Sequence, residues 1–171
     1  MSDFTIERVI AANDELRALI RGLEADLAQG YLPEQQHGLP IDALFQPHIH
    51  FFLARDATGA AIACGGVALF AKDGFAEVKR MFVRPESRGR GAAEAILSRI
   101  ESVVREARIA RLTLETGDKQ HAAIKLYQRY GFQRCEPFGD YLGLSAKALE
   151  TSVFFEKLIE PIWSNRFSLP T

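Results

Sequence analysis

The stretch Val83–Leu97, VRPESRGRGAAEAIL, limits what this chain can become more than any other. Before it, FAEVKRMFV (75–83) mixes charged and apolar residues in the manner of a strand. After it, Ala93, Ile96, Leu97, Ile100, Val103, Val104 and Ala107 recur at spacings of three and four, which predicts an amphipathic helix packed on a sheet. The chain therefore turns from strand to helix through Arg88-Gly89-Arg90-Gly91. A helix N-terminus carries unpaired N–H groups and a partial positive charge. Gly89, Gly91, Ala92 and Ala93 are small enough for a bound group to reach that backbone, while Arg88 and Arg90 add charge and forked donors. An anion site fits this pattern, with phosphate the best candidate. A plain helix start with solvated arginines has the same spacing. A dinucleotide-binding turn is a third reading: Gly89-x-Gly91 is present, and Glu115 stands at the end of the next strand, where a ribose ligand would. Against it, Glu94 occupies the third glycine position and the preceding strand is not continuously apolar.

The rest of the chain supplies the layers. FTIERVI (4–10) reads as a first strand, and Asn13 or Asp14 can cap the helix that follows, with Leu16, Leu19, Ile20, Leu23 and Leu27 on one stripe and Gly30 as its stop. Residues 32–47 are broken by Pro33, Gly38, Pro40 and Pro47, with a short helical turn expected around Asp42–Phe45. IHFFLAR, AAIACGGVALFA and FAEVKRMFV are joined by the short turns DATG and KDG, so they predict an antiparallel meander, with a bulge or close approach at Gly65-Gly66. After the second helix come the strand RLTLET and the helix KQHAAIKLYQRY, ended by Gly131. The strands FQRCEPF and TSVFFEKLI follow. The expected fold class is α+β: a mixed, mainly antiparallel sheet of six to seven strands with helices on both faces, in a single domain spanning 1–171.

Composition then excludes whole classes of function. A net charge of -1 argues against a nucleic-acid partner. No apolar run approaches the roughly 20 residues of a membrane span. The N-terminus lacks the basic and apolar stretches of a signal peptide. Cys64 and Cys135 form no CxxC pair and read as reduced thiols of a cytoplasmic protein. His48-x-His50 has no supporting cluster, so no metal is expected, and His37 and His121 stand alone. Neither a P-loop nor a Gly-x-Ser-x-Gly nucleophile motif occurs.

Arg88-x-x-Gly91-x-Ala93 resembles the R/Q-x-x-G-x-G/A signature of the GNAT N-acetyltransferases. EVKRMFVRPESRGRG is similar to that family's fourth strand and pyrophosphate loop, and LETGDKQHAAIKLYQRYGF to its fifth strand and following helix. The resemblance is firm over Phe75–Phe132. It implies acetyl-CoA as acetyl donor and direct transfer to a primary amine of a small-molecule or amino-acid-like acceptor. By match, the backbone of Met81, Phe82 and Val83 would pair with the pantetheine, and Arg88, Gly89, Arg90, Gly91, Ala92 and Ala93 would hold the pyrophosphate. Gln120 replaces the Asn that often contacts the cofactor. Tyr127 falls where the family places a general acid; a core tyrosine on a helix face is the bland alternative, as Tyr130 illustrates. Glu77 is the candidate general base, or else a partner of Lys79 or Arg80, and Glu115 reads as structural. Acceptor choice falls to residues 29–50, where Glu34 and Asp42 could suit a cation. A homodimer is implied by analogy. A non-catalytic CoA-binding module and a protein or peptide N-acetyltransferase are the competing readings.

Overall fold

The computed structural model describes residues 3–162; the end of the tail, from Trp163, lies outside the described residues. The first strand β1 (Thr5–Val9) leads into α1 (Asp14–Ala28). Of the two capping candidates it is Asn13 that acts, its side chain accepting the Leu16 N–H at 2.8 Å. The meander follows as β2 (Ile49–Arg55), β3 (Ala61–Phe70) and β4 (Phe75–Val83). Next come α2 (Ala92–Glu106), β5 (Arg111–Gly117) and α3 (His121–Arg129), then β6 (Gln133–Arg134) and β7 (Ser152–Leu158). Helix α3 ends as its sequence predicts: Gly131 takes φ 101 and the Phe132 N–H returns to the Tyr127 carbonyl at 2.9 Å.

These strands form one seven-stranded sheet in the order β1-β2-β3-β4-β5-β7-β6. All pairings are antiparallel except β4 with β5. The expected strand FQRCEPF shrinks to two residues. Pro137 has no N–H to give a ladder, so after the Cys135 N–H bonds the Phe154 carbonyl the chain leaves for a 3-10 turn at Gly139–Gly143. A second 3-10 turn, Ile41–Phe45, lies where a short helical turn was expected.

Neighbouring residues of a strand point to opposite faces, and the two faces are buried differently. Phe52, Leu112 and Phe155 pack with Ile96, Leu97, Ile100 and Val104 of α2, and with Tyr127 of α3. Phe51 and Leu53 pack under Leu16, Leu19 and Ile20 of α1 on the opposite face. Phe154 joins Phe75, Phe138 and Tyr141 in a third cluster. No helix among the described residues is long and apolar enough to cross a membrane.

Two irregularities place the site. The parallel β4–β5 ladder has three rungs, Phe75↔Arg111 to Glu77↔Thr113. Beyond them the strands part, although β4 runs on to Val83 and β5 to Gly117. Secondly, Cys64 faces Phe82 while Gly66 faces Lys79, so β4 holds one more residue than β3 between these pairs. The extra residue is therefore in β4, where Arg80 takes φ 55, and not at Gly65-Gly66 as the sequence suggested. The glycines mark close approach instead. A Cβ on Gly65 would stand 2.1 Å from Met81 Sδ, and one on Gly66 would stand 2.6 Å from the His50 carbonyl oxygen. Because that second neighbour is backbone, Gly66→Ala is expected to destabilise the protein by about 1–3 kcal/mol, read from the urea midpoint.

Candidate active site

Two cavities meet where β4 and β5 part. The larger, of about 430 Å³, runs along the end of β4 and the glycine-rich loop to α3. The smaller, of about 130 Å³, lies between β4, β5 and the segment after α1. Met81, Gln120, Ala123 and Tyr127 line both.

The larger cavity is built for an anion at one end. Gly89 and Gly91 take φ 74 and 92, a region that L side chains rarely enter. Gly91 is the N-cap of α2 and offers no side-chain acceptor. The contrast with α1, capped by Asn13, is direct: the first N–H groups of α2 are left for something else to satisfy. Ala92 and Ala93 are buried beside them. The residues thus fit a phosphate group.

Arg88 lines this cavity, but its guanidinium is already engaged. Its Nε donates to the Val83 carbonyl at 3.0 Å and one Nη donates to Asp26 at 2.8 Å, so it ties the loop to β4 and α1. That contact uses the Val83 carbonyl. Arg90 lines neither cavity; its charge acts instead on Asp56, in the turn between β2 and β3. Met81 and Val83 lie past the last β4–β5 rung, so their β5 side has no strand partner. Sequence reading passed over Ser87, Lys125 and Arg129, which also line the cavity. The two basic residues were detectable: a spacing of four on a predicted helix puts them on one face.

Around the smaller cavity polar side chains, buried or half-buried, stand among apolar ones. Glu77, 5% exposed, lies against Lys79 Nζ at 2.7 Å and accepts the Tyr141 hydroxyl at 2.7 Å, both on Oε1. Glu115 is placed differently. It accepts a hydrogen bond from the Ser152 hydroxyl at 2.8 Å and has no ion-pair partner among the described residues. Burial, helped by the Glu77 charge, raises its carboxyl above the usual carboxylate range. Burial, with the Glu115 charge added, likewise pushes the Tyr127 phenol upward, so it stays protonated at neutral pH. No hydrogen bond acts on that phenol among the described residues.

From the segment after α1, Tyr31, Gln35, Gln36, His37 and Gly38 line this cavity, whereas Glu34 and Asp42 do not. His37 Nε2 faces the Ala148 carbonyl at 2.9 Å, so Nε2 carries the proton there. Tyr31 accepts the Lys119 N–H at 2.7 Å and pins the β5–α3 connection to the end of α1. Neither Tyr31 nor Tyr141 stood out in the sequence, because each is defined by a partner far along the chain. Among the described residues no group of three or more His, Cys, Asp or Glu side chains could hold a metal ion.

The chain is similar to known proteins over most of its length. The acetyltransferase (GNAT) family pattern matches residues 17–132. A relative from Azospirillum brasilense, named IAA acetyltransferase, is 39% identical over 141 residues, covering 82% of this chain and 92% of the relative. A crystal structure from Klebsiella pneumoniae, of a protein assigned as an acyl-CoA N-acyltransferase, superposes with a TM-score of 0.74 at 32% identity. That match covers 94% of this chain and all of the other. A GNAT family acetyltransferase from Elizabethkingia anophelis, with acetyl-CoA bound, shares the fold at TM-score 0.65 and 16% identity, covering 92% of this chain and 99% of that one.

The Glu77–Lys79 pair yields a stability prediction. Removing the cation leaves a buried carboxylate, so Lys79→Met is expected to cost about 3–5 kcal/mol. Adding Glu77→Gln should recover most of that loss, which a urea-denaturation double-mutant cycle measures.

Proposed function

The chain belongs to the GNAT family of acetyltransferases and is an enzyme of that class, and from that premise we propose that it transfers an acetyl group from acetyl-CoA directly to the primary amine of a small acceptor. The observation that carries this reading is the position of Tyr127, a protonated phenol lining both the cavity with the open helix N-terminus and the cavity with the two carboxylates. One side is suited to the donor's phosphates, the other to a cationic acceptor.

Gly89, Gly91, Ala92 and Ala93 would hold the pyrophosphate through backbone N–H groups, with Lys125 adding charge from α3, where Arg129 is paired with Glu94 at 2.9 Å. Arg88 acts by fixing the loop, and Arg90 contributes at longer range. Met81 and Phe82 offer strand backbone at the parting, and Gln120 stands at the junction of the cavities. Bound acetyl-CoA would supply the thioester whose C–S bond breaks as the amine nitrogen forms the new C–N bond. Tyr127 gives the departing sulfur a proton.

The proton released by the ammonium needs an acceptor. Glu77 already faces Lys79 and Tyr141, so its role is electrostatic: it holds Lys79 at the cavity wall. Glu115 has no ion-pair partner among the described residues and a carboxyl pKa raised by burial, which makes it a stronger base than an exposed carboxylate. The sign is definite: Glu115 accepts a proton only when ionised, so kcat/KM for the amine rises with pH through its ionisation.

Calorimetric titration with acetyl-CoA tests the donor half; absence of binding would remove the reading. With donor binding established, Tyr127→Phe is expected to lower kcat by about 10²–10⁴ while leaving acetyl-CoA affinity unchanged. Unchanged turnover would refute the acid role. Glu115→Gln is expected to remove the acidic limb of the pH profile. IAA, which names the Azospirillum relative, belongs in the acceptor screen.

A further inference from the structure

Two groups at the smaller cavity have needs that the protein does not meet, and they are opposite in sign. Among the described residues Glu115 accepts the Ser152 hydroxyl but has no ion-pair partner, and Arg80 has a buried Nε with no hydrogen-bond partner. Buried polar groups are nearly always satisfied and buried charges nearly always paired, so a carboxyl without an ion pair and an unused guanidinium N–H at one cavity call for an explanation.

The backbone has been bent to bring Arg80 here. Consecutive strand residues normally face opposite sides of a sheet. At the β4 bulge this alternation fails, and Lys79 and Arg80 both line the smaller cavity with side chains only 12% and 7% exposed. Arg80 takes φ 55, a left-handed conformation that a non-glycine residue adopts only when its surroundings compel it. Gly38 completes the seat, since a Cβ there would stand 2.1 Å from an Arg80 Nη. Glu24 holds the other Nη at 2.7 Å, leaving Nε unused. The ionisable lining then comprises two acids, Glu77 and Glu115, two bases, Lys79 and Arg80, and beside them His37 and the phenols of Tyr31, Tyr127 and Tyr141.

A simple amine would answer Glu115 and leave Arg80 unanswered. A ligand carrying both an ammonium and a carboxylate answers both. At about 130 Å³ the cavity admits only a small one. We propose that the acceptor is a small amino-carboxylate, its ammonium received at Glu115 and its carboxylate at Arg80 and Lys79. This rests on the acetyl-transfer reading above and narrows it to one substrate class. Lys79 keeps Glu77 as counter-ion and presents its remaining donors; Arg80 keeps Glu24 and presents Nε.

The test compares acceptors that differ only in the carboxylate. Glycine, L-alanine and β-alanine are each assayed against their carboxamides, with acetyl-CoA as donor and thiol release as readout. At least one acid is expected to exceed its carboxamide in kcat/KM by about a hundredfold, as a site built to bind the missing group requires. In Arg80→Gln the acid-to-amide ratio should collapse towards one, and in Arg80→Lys it should partly recover. Acetyl-CoA affinity, measured by calorimetry on each variant, checks that the fold is intact. Equal rates for acids and carboxamides overturn the proposal, as does turnover of neither by a protein that binds acetyl-CoA. A protein that fails to bind acetyl-CoA would instead bring down the transferase reading itself.

Discussion

The parting of β4 and β5 is the constraint around which the molecule is arranged. Three rungs hold the strands together, and the Thr113 hydroxyl adds a bond to the Ala76 carbonyl at 2.8 Å beside the last of them. Past that point, backbone groups that a continuous sheet would pair are open on both strands. Such groups cannot be buried unpaired at low cost, so the gap must face water or a ligand. Side chains keep it from closing. Tyr127 enters from the α2–α3 face, while Tyr141 and the Glu77–Lys79 pair stand on the other. The gap is thus a passage through the sheet, and each end takes its chemistry from the face on which it opens.

Electrostatics within the passage follows from how each carboxylate is supported. Glu77 and Glu115 sit on neighbouring strands and on the same face, yet among the described residues only Glu77 has an ion-pair partner. Its charge is compensated, and that charge in turn helps to hold the Glu115 carboxyl upward. Two like groups placed close together and supported unequally are suited to different tasks, Glu77 to holding Lys79 and Glu115 to exchanging a proton. Tyr127 is pushed the same way by the Glu115 charge, which keeps a proton on the phenol. The proton acceptor of the proposed reaction therefore favours the protonated ground state of the proposed donor.

Local pattern made the order of elements legible, because helix stripes, turns and the glycine-arginine loop each lie within a few residues. FQRCEPF was read too long because Pro137 ends the ladder, a rule that acts only once the strand has a partner. Gly65-Gly66 was read as a bulge or a close approach, and close approach is what it marks; the extra residue lies in β4, the strand that approaches Gly65. The ion pair of Glu77 with Lys79 was visible as a same-face spacing of two. What separates Glu77 from Glu115 was not visible, since it depends on Tyr141 and Ser152, brought in from far along the chain. The engagement of Arg88 by Asp26 was hidden for the same reason.

Helix α1 then acquires a part that its amphipathic stripe does not announce. Asp26 holds Arg88 on the glycine-rich loop, and Glu24, two residues earlier, holds Arg80 on the β4 bulge. Leu23, one residue before that, lines both cavities. Tyr31, just past the helix end, fixes the β5–α3 connection through the Lys119 N–H. Three separate segments of the site are thus referred to one rigid element. The exposed Asp26–Arg88 pair contributes little to stability, so its value here lies in geometry. Transfer between two bound molecules depends on their relative position to within a fraction of an ångström. A helix whose buried stripe fixes it to the sheet, and whose outer residues grip the glycine-rich loop and the β4 bulge together, is a means of keeping the distance between those two segments constant.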